Sequence, residues 1–161
     1  MRFSDVLDQE EPAYAVFKSA LKIAFDSNDA VTEHIDRLSP EARLVYLVWC
    51  LDGEIHNGGF DQFFYNSLGD HWSELLGHLD TIGAVISKKL LTKAVSIFPN
   101  SAPSSNRQER FEQLNRLDDD EVEALLSDLD EEFWSYEDDL AQRVDDFVRK
   151  HPDASIAVHG D

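Results

Sequence analysis

The chain has 161 residues, with 33 Asp and Glu against 14 Lys and Arg, giving a formal net charge of −19. That length suits a single domain, and with 42% hydrophobic residues, ten Phe, four Tyr and three Trp the chain can bury a core, which excludes a disordered acidic tail. The charge excludes direct binding to nucleic acid or to an anionic membrane, since both reward Lys and Arg. A cationic partner, a metal ion or solvation remains.

Cys50 is the only cysteine, so no internal disulfide can form, and among Leu47, Val48, Trp49 and Leu51 it reads as a small buried hydrophobe. The first residues meet acid at Asp5 and show no apolar signal-peptide core. The longest apolar run, Leu44 to Leu51, is far short of the roughly 18–20 residues a membrane helix needs. The expected compartment is the cytoplasm.

In chain order, Ala13, Val16, Phe17, Ala20, Leu21, Ala24 and Phe25 recur at steps of three and four behind Pro12, which predicts a helix. A short helix is expected around 30–37. Ser39-Pro40-Glu41 combines an N-cap, a first-turn proline and an early acid, a helix start. The next helix is apolar on every face from Leu44 to Leu51, as suits a central helix. Asn57-Gly58-Gly59 should stop it, because these residues accept positive φ cheaply. A further helix runs from about Phe60 to Asn66 and ends at Gly69. Asp70 is placed to cap the one after, whose stripe is Trp72, Leu75, Leu76 and Leu79. Another spans about 82–98, and the Pro, Ser and Asn residues of 99–106 predict an exposed loop. Val122, Leu125, Leu126, Leu129, Phe133, Leu140, Val144, Phe147 and Val148 keep one helical stripe to the end, with a break expected near 135–139. The expected fold is all-α: one compact multi-helix domain over 1–161, with an apolar central helix and an acidic helical segment over about 118–150.

The charge is uneven. Residues 1–116 carry 17 acids and 11 bases, while 117–161 carry 16 acids and 3 bases. Residues 118–139 contain no Lys or Arg and twelve acids: Asp118, Asp119, Asp120, Glu121, Glu123, Asp128, Asp130, Glu131, Glu132, Glu137, Asp138 and Asp139. On one continuous helix they would lie about one per 2.8 Å, against about 3.4 Å along a DNA strand. With the apolar stripe pinned inward, these carboxylates should crowd the outer faces. Like charges at i,i+3 and i,i+4 cost a few tenths of a kcal/mol per pair. Some of them, from Asp118 to Glu121, also suit a helix N-terminus, and a solvated surface is the alternative reading of the rest.

Three constellations could carry site chemistry. His71, Glu74 and His78, at i, i+3 and i+7, could hold a divalent metal, although a polar surface stripe explains them as well, and no metal or other cofactor is expected. Asp52, Glu54 and His56, at steps of two, could act together only if the helix is broken there. Asp118-Asp119-Asp120 lacks the glycine of a Ca²⁺ loop. No phosphate loop, nucleophile elbow or Cys-x-x-Cys occurs, and nothing names a reaction, so a non-enzymatic protein is expected. Lys88, Lys89 and Lys93 suit a helix C-terminus or could meet the acidic face of a second copy in a homodimer.

The run from Glu54 through Asn57-Gly58-Gly59-Phe60, Gln62-Phe63-Phe64, Asn66 and Gly69-Asp70 is long and specific. Physically it is a tight corner whose aromatic residues plant the following helix in the core, with the amides placed to satisfy backbone groups. This run, with Thr81-Ile82-Gly83-Ala84 after it, resembles the signature of a small bacterial family, formerly of unknown function, whose characterised representative is a DNA-mimic protein. Leu-Asp-Glu-Glu-Phe-Trp at 129–134 resembles the family's C-terminal helix. The resemblance implies an all-α fold and, for the mimic, carboxylates that imitate phosphates on the DNA-binding face of a helix-turn-helix regulator or histone-like nucleoid protein. The acids of 118–139, together with Asp145 and Asp146, are the surface that would carry it.

Overall fold

A computed structural model describes residues 1–25, 32–117 and 119–158. Among these, seven α-helices and four short 3₁₀ turns account for the regular structure, and two isolated bridges stand where a sheet would have strands. The fold class is all-α. The helices are α1 (Pro12–Ala24), α2 (Pro40–Tyr65), α3 (Trp72–Thr81), α4 (Val85–Val95), α5 (Arg107–Arg116), α6 (Asp120–Trp134) and α7 (Leu140–Lys150).

The chain forms two compact units, one of 1–49 with 139–161 and one of 50–138. In the first, α1 packs on α7 and on the 3₁₀ turns Phe3–Val6 and Ile35–Arg37. Val16, Ala20, Val45, Val48, Val144 and Val148 are buried there. Tyr14, Phe17, Tyr46 and Trp49 stack with ring centroids 5.5–6.4 Å apart. The Ser39 hydroxyl accepts the Ala42 N–H at the start of α2, the expected cap. The segment after α7 returns along the N-terminus: Phe3 N–H donates to the Ala154 carbonyl and Ile156 N–H to that of Met1. The helix expected around 30–37 is only the turn Ile35–Arg37, and its first two positions lie outside the described residues.

In the second unit, Ile55, Phe60, Phe63 and Phe64 from α2, Leu75 and Leu79 from α3, and Leu90 and Leu91 from α4 are all buried, as are Leu126, Leu129 and Phe133 of α6. α2 does not stop at Asn57-Gly58-Gly59; it kinks there, with Gly58 at φ −150° and Gly59 at φ 73°, ψ −172°, and runs on to Tyr65. The helix expected over 82–98 is shorter, Val85–Val95, behind a positive-φ Gly83. α5 escaped the periodicity reading because it is short and mostly polar. Of the stretch 99–106, Pro103 is buried and its carbonyl accepts the Trp72 indole N–H at 2.9 Å. The C-terminal stripe breaks where expected, with Tyr136 at φ 56° and Asp139 at φ 45° between α6 and α7. No described helix is long and apolar enough to cross a membrane.

Candidate functional site: the acidic helix and the corner beneath it

The corner explains the signature residue by residue. Glu54, one turn before the kink, accepts hydrogen bonds from Gln62 Nε2 at 2.7 Å and from Asn66 Nδ2 at 3.0 Å, while Asn57 Nδ2 donates to Gln62 Oε1 at 3.0 Å. These four polar side chains tie the two arms of α2 together across the glycines. Gly59 is required twice. Its φ of 73° is one that residues with a Cβ rarely adopt, and a Cβ there would lie 2.2 Å from Asp130 Oδ2. That carboxylate comes close because its other oxygen accepts the Phe60 N–H at 2.8 Å. Phe60 then meets Phe133 edge-on at 6.0 Å, so α6 is fixed to the corner through both a hydrogen bond and an aromatic pair.

Gly69 and Asp70 answer to a residue the sequence reading missed. Arg110 of α5 is completely buried. Its guanidinium donates to Asp70 Oδ1 at 2.8 Å and to the carbonyls of Phe64, Asn66 and Ser104 at 2.6–2.8 Å. A Cβ on Gly69 would lie 2.8 Å from Arg110 Nε. Asp70 therefore does not cap α3, which has no side-chain cap; it neutralises a buried cation. No sequence signal marked Arg110, because three of its four acceptors are main-chain oxygens.

The acids of 118–139 separate into two groups. Asp118 lies outside the described residues. Asp119 caps α6 by accepting the Val122 N–H, and Asp139 caps α7 by accepting that of Gln142. Asp138 is not on an outer face: it is buried, and its carboxylate accepts the Ser87 N–H in the first turn of α4. Asp130 holds the corner. Asp145, on α7, is only partly exposed and accepts the Ala13 N–H at the start of α1 at 2.8 Å. Helix N-termini present unpaired N–H groups and positive potential, so each of these carboxylates serves the fold. Burial pushes Asp130 and Asp145 above the ordinary carboxylate range, against the opposing pull of their backbone donors, and neighbouring Asp61 adds to the rise at Asp130.

The second group is exposed: Asp120, Glu121, Glu123, Asp128, Glu131 and Glu132 on α6, Glu137 after it, and Asp146 on α7, where Gln142 Nε2 donates to the Asp146 carboxylate. At 100° per residue, Asp120, Glu121, Asp128, Glu131 and Glu132 occupy an arc of about 120° opposite the buried Leu126, Leu129 and Phe133. Glu123 stands on the flank. α6 contains no Lys or Arg. With the break at 135–139, the charged helix is one of 15 residues, about 22 Å long, and not the 22 residues of the continuous case. Its outward ridge has one carboxylate per about 4.5 Å, sparser than a DNA strand.

The other constellations resolve differently. Glu74 lies 3.0 Å from His78 Nε2 and 3.6 Å from His71 Nδ1, so the carboxylate stands between the two imidazoles. Among the described residues no group of three or more His, Cys, Asp and Glu is arranged to hold a metal ion. The helix is unbroken at 52–56, where Asp52 and His56 meet at i,i+4 with Oδ1 and Nδ1 2.9 Å apart, and the Tyr136 hydroxyl donates to Asp52 Oδ2. Glu54 instead serves the corner. Lys88 pairs with Asp80 at 2.9 Å. Cys50 is half-buried rather than buried.

A search of curated proteins and a search of solved structures each gave no match. A family model described as DMP19-like protein matches residues 36–151, a span that takes in the Glu54–Asp70 corner, the buried Arg110 and the acidic α6. The chain belongs to the DMP19-like protein family.

Proposed function

We propose that this protein is a DNA mimic: the outward ridge of α6 occupies the basic DNA-contacting face of a helix-turn-helix regulator or histone-like nucleoid protein and blocks its access to DNA. The observation that carries the reading is that Asp120, Glu121, Asp128, Glu131 and Glu132 share one exposed face of a helix without a single base. Asp120 and Glu121 also suit the first turn of α6, but Asp128, Glu131 and Glu132 lie beyond it, whereas Asp119, Asp130 and Asp138 are all engaged. Like charges left this close on a helix weaken it by a few tenths of a kcal/mol per pair, and a cationic partner offsets that loss. Membership of the DMP19-like family supports the same reading. It is a reading of binding, not catalysis, and it requires no cofactor.

Mechanistically, the carboxylates pair with Lys and Arg that would otherwise contact phosphate, by charge-assisted hydrogen bonds. Because a folded ridge condenses fewer counterions than duplex DNA, affinity should fall with salt less steeply than that of the partner for its operator. The test is capture at low salt followed by competition. The captured DNA-binding protein is loaded on a fluorescent duplex, and displacement is followed by anisotropy. The native chain should displace the duplex, and Asp120→Lys, Asp128→Lys, Glu131→Lys and Glu132→Lys combined should not. A captured partner that still binds its duplex in the presence of excess native chain overturns the reading. An equal response from the reversed variant would leave the ridge as solvated surface.

A further inference from the structure

A groove of about 440 Å³ lies beside that ridge, in the unit formed by 50–138. One set of its walls is apolar: Leu114 and Leu117 at the end of α5, and Val122 and Leu126 of α6, with the ring of Tyr65 from the end of α2. Tyr65 is 45% exposed although Phe111 meets its ring edge-on at 5.1 Å, so it offers an uncovered aromatic surface at the groove. The remaining walls include the carboxylates Asp61, Asp119, Glu123 and Asp130, and among the described residues no Lys, Arg or His lines the groove. Two of the four have work in the fold: Asp119 caps α6 and Asp130 holds the Phe60 N–H. Asp61 and Glu123 are exposed and have no such task.

The lining specifies its occupant. A purely polar cation would gain nothing from the leucines, and an apolar side chain would desolvate the carboxylates without replacing their water. An aliphatic stem with a cationic head satisfies both walls at once, since Lys and Arg bury their methylenes along apolar surface and keep the charge at the polar end. Between the two, a planar guanidinium is the better fit. It stacks on an aromatic face, forms paired hydrogen bonds to a carboxylate and sheds its hydration more cheaply than an ammonium. We infer that this groove is a receptor for one arginine side chain of the protein bound by α6. The inference rests on the reading above, which names the partner class, and deepens it: the ridge supplies diffuse charge, and the groove supplies the one shaped contact that selects and orients the partner. The arginine also brings positive charge to Asp61 and Asp130, which otherwise oppose one another across the same groove.

Heteronuclear NMR of the full chain, titrated with the capped tripeptide Gly-Arg-Gly, tests the site directly. The expected result is saturable shifts confined to Tyr65, Leu114, Val122, Glu123 and Leu126, at least fivefold weaker for Gly-Lys-Gly and absent for Gly-citrulline-Gly, which keeps the shape and loses the charge. The paired variant Asp61→Asn with Glu123→Gln leaves both fold-bearing carboxylates in place. It should weaken the tripeptide at least fivefold with an unchanged melting temperature. Shifts spread over all exposed acids, or equal for citrulline, overturn the groove as a receptor. The two readings fail separately. If the ridge reversal abolishes partner binding and the groove pair leaves it within twofold, the groove inference is wrong and the mimic reading stands. If the tripeptide binds as expected and no captured protein is displaced from DNA, the mimic reading is wrong, the arginine receptor stands, and its partner lies outside the DNA-binding class.

Discussion

Two acidic regions of the same unit use their carboxylates in opposite ways. At the corner, Glu54, Asp70 and Asp130 are each engaged: Glu54 by two amides, Asp70 by a buried guanidinium, Asp130 by a backbone N–H. On the outward ridge of α6, five carboxylates face solvent with no base on their helix. Counting acids treats the two alike. Their surroundings separate them, because a carboxylate that answers a buried donor belongs to the fold, and one that answers nothing is available to a partner. The contrast also decides which residues to mutate. Reversing Asp130 along with its neighbours would report on the corner and not on the ridge.

The comparison breaks most sharply at Arg110. Arg110→Ala leaves the Asp70 carboxylate and three main-chain carbonyls without their donor, and one-sided removal of a buried ion pair costs about 3–5 kcal/mol. Chemical denaturation should show the 50–138 unit collapsing, and Arg110→Lys should recover only part of the loss because an ammonium cannot reproduce the planar fork. Next comes Gly59→Ala. It forces a side chain into a positive-φ, extended-ψ conformation that is essentially reserved for glycine and costs about 1–3 kcal/mol, and drives its Cβ against Asp130. A loss of about 2–3 kcal/mol by urea denaturation is expected.

Asp130 itself gives a smaller and more diagnostic effect. Asp130→Ala orphans the Phe60 N–H and should cost about 1–2 kcal/mol, whereas Asp130→Asn keeps an oxygen to accept it. Because burial raises the folded pKa, the native state binds more protons than the unfolded chain between the ordinary carboxylate value and the raised one. Stability contributed by this group therefore falls as pH rises through that window, and Asp145 acts in the same direction. Asp130→Asn should flatten that slope in denaturation curves taken from pH 4 to 7 and cost least at neutral pH. The smallest change is at the ridge. Neutralising Asp120, Asp128, Glu131 and Glu132 to Asn or Gln should leave stability within about 0.5 kcal/mol or raise it, while partner binding measured by anisotropy is lost. A large destabilisation there would erase the contrast between the two regions.

Much of the fold was legible because the responsible forces are local. The stripe through Leu126, Leu129 and Phe133 announced α6, Ser39-Pro40 announced α2, and two glycines announced the corner. The signature's amides, expected to satisfy backbone groups at that corner, instead bond the Glu54 carboxylate and one another. What stayed hidden depends on partners distant in sequence. Asp138 and Asp145 look like members of a charged run, yet each caps a helix, α4 and α1, whose start lies far from it in the chain. Arg110 looks like a surface residue on a polar helix. The groove was invisible for a further reason: its walls come from the end of α2, the end of α5 and the flank of α6, and no spacing rule links Tyr65 to Leu126.

The return of residues 152–156 along Met1–Ser4 carries a consequence for how the chain acquires its structure. One unit is a continuous stretch from 50 to 138, and the other is assembled from 1–49 and 139–161. The continuous unit has every residue it needs within one stretch of the chain. Helix α1, by contrast, must wait for α7 and for the segment that pairs with Phe3. Closing that long loop delays its reward. The apolar face of α1 that packs on α7 is thus the surface expected to be covered last as the chain folds.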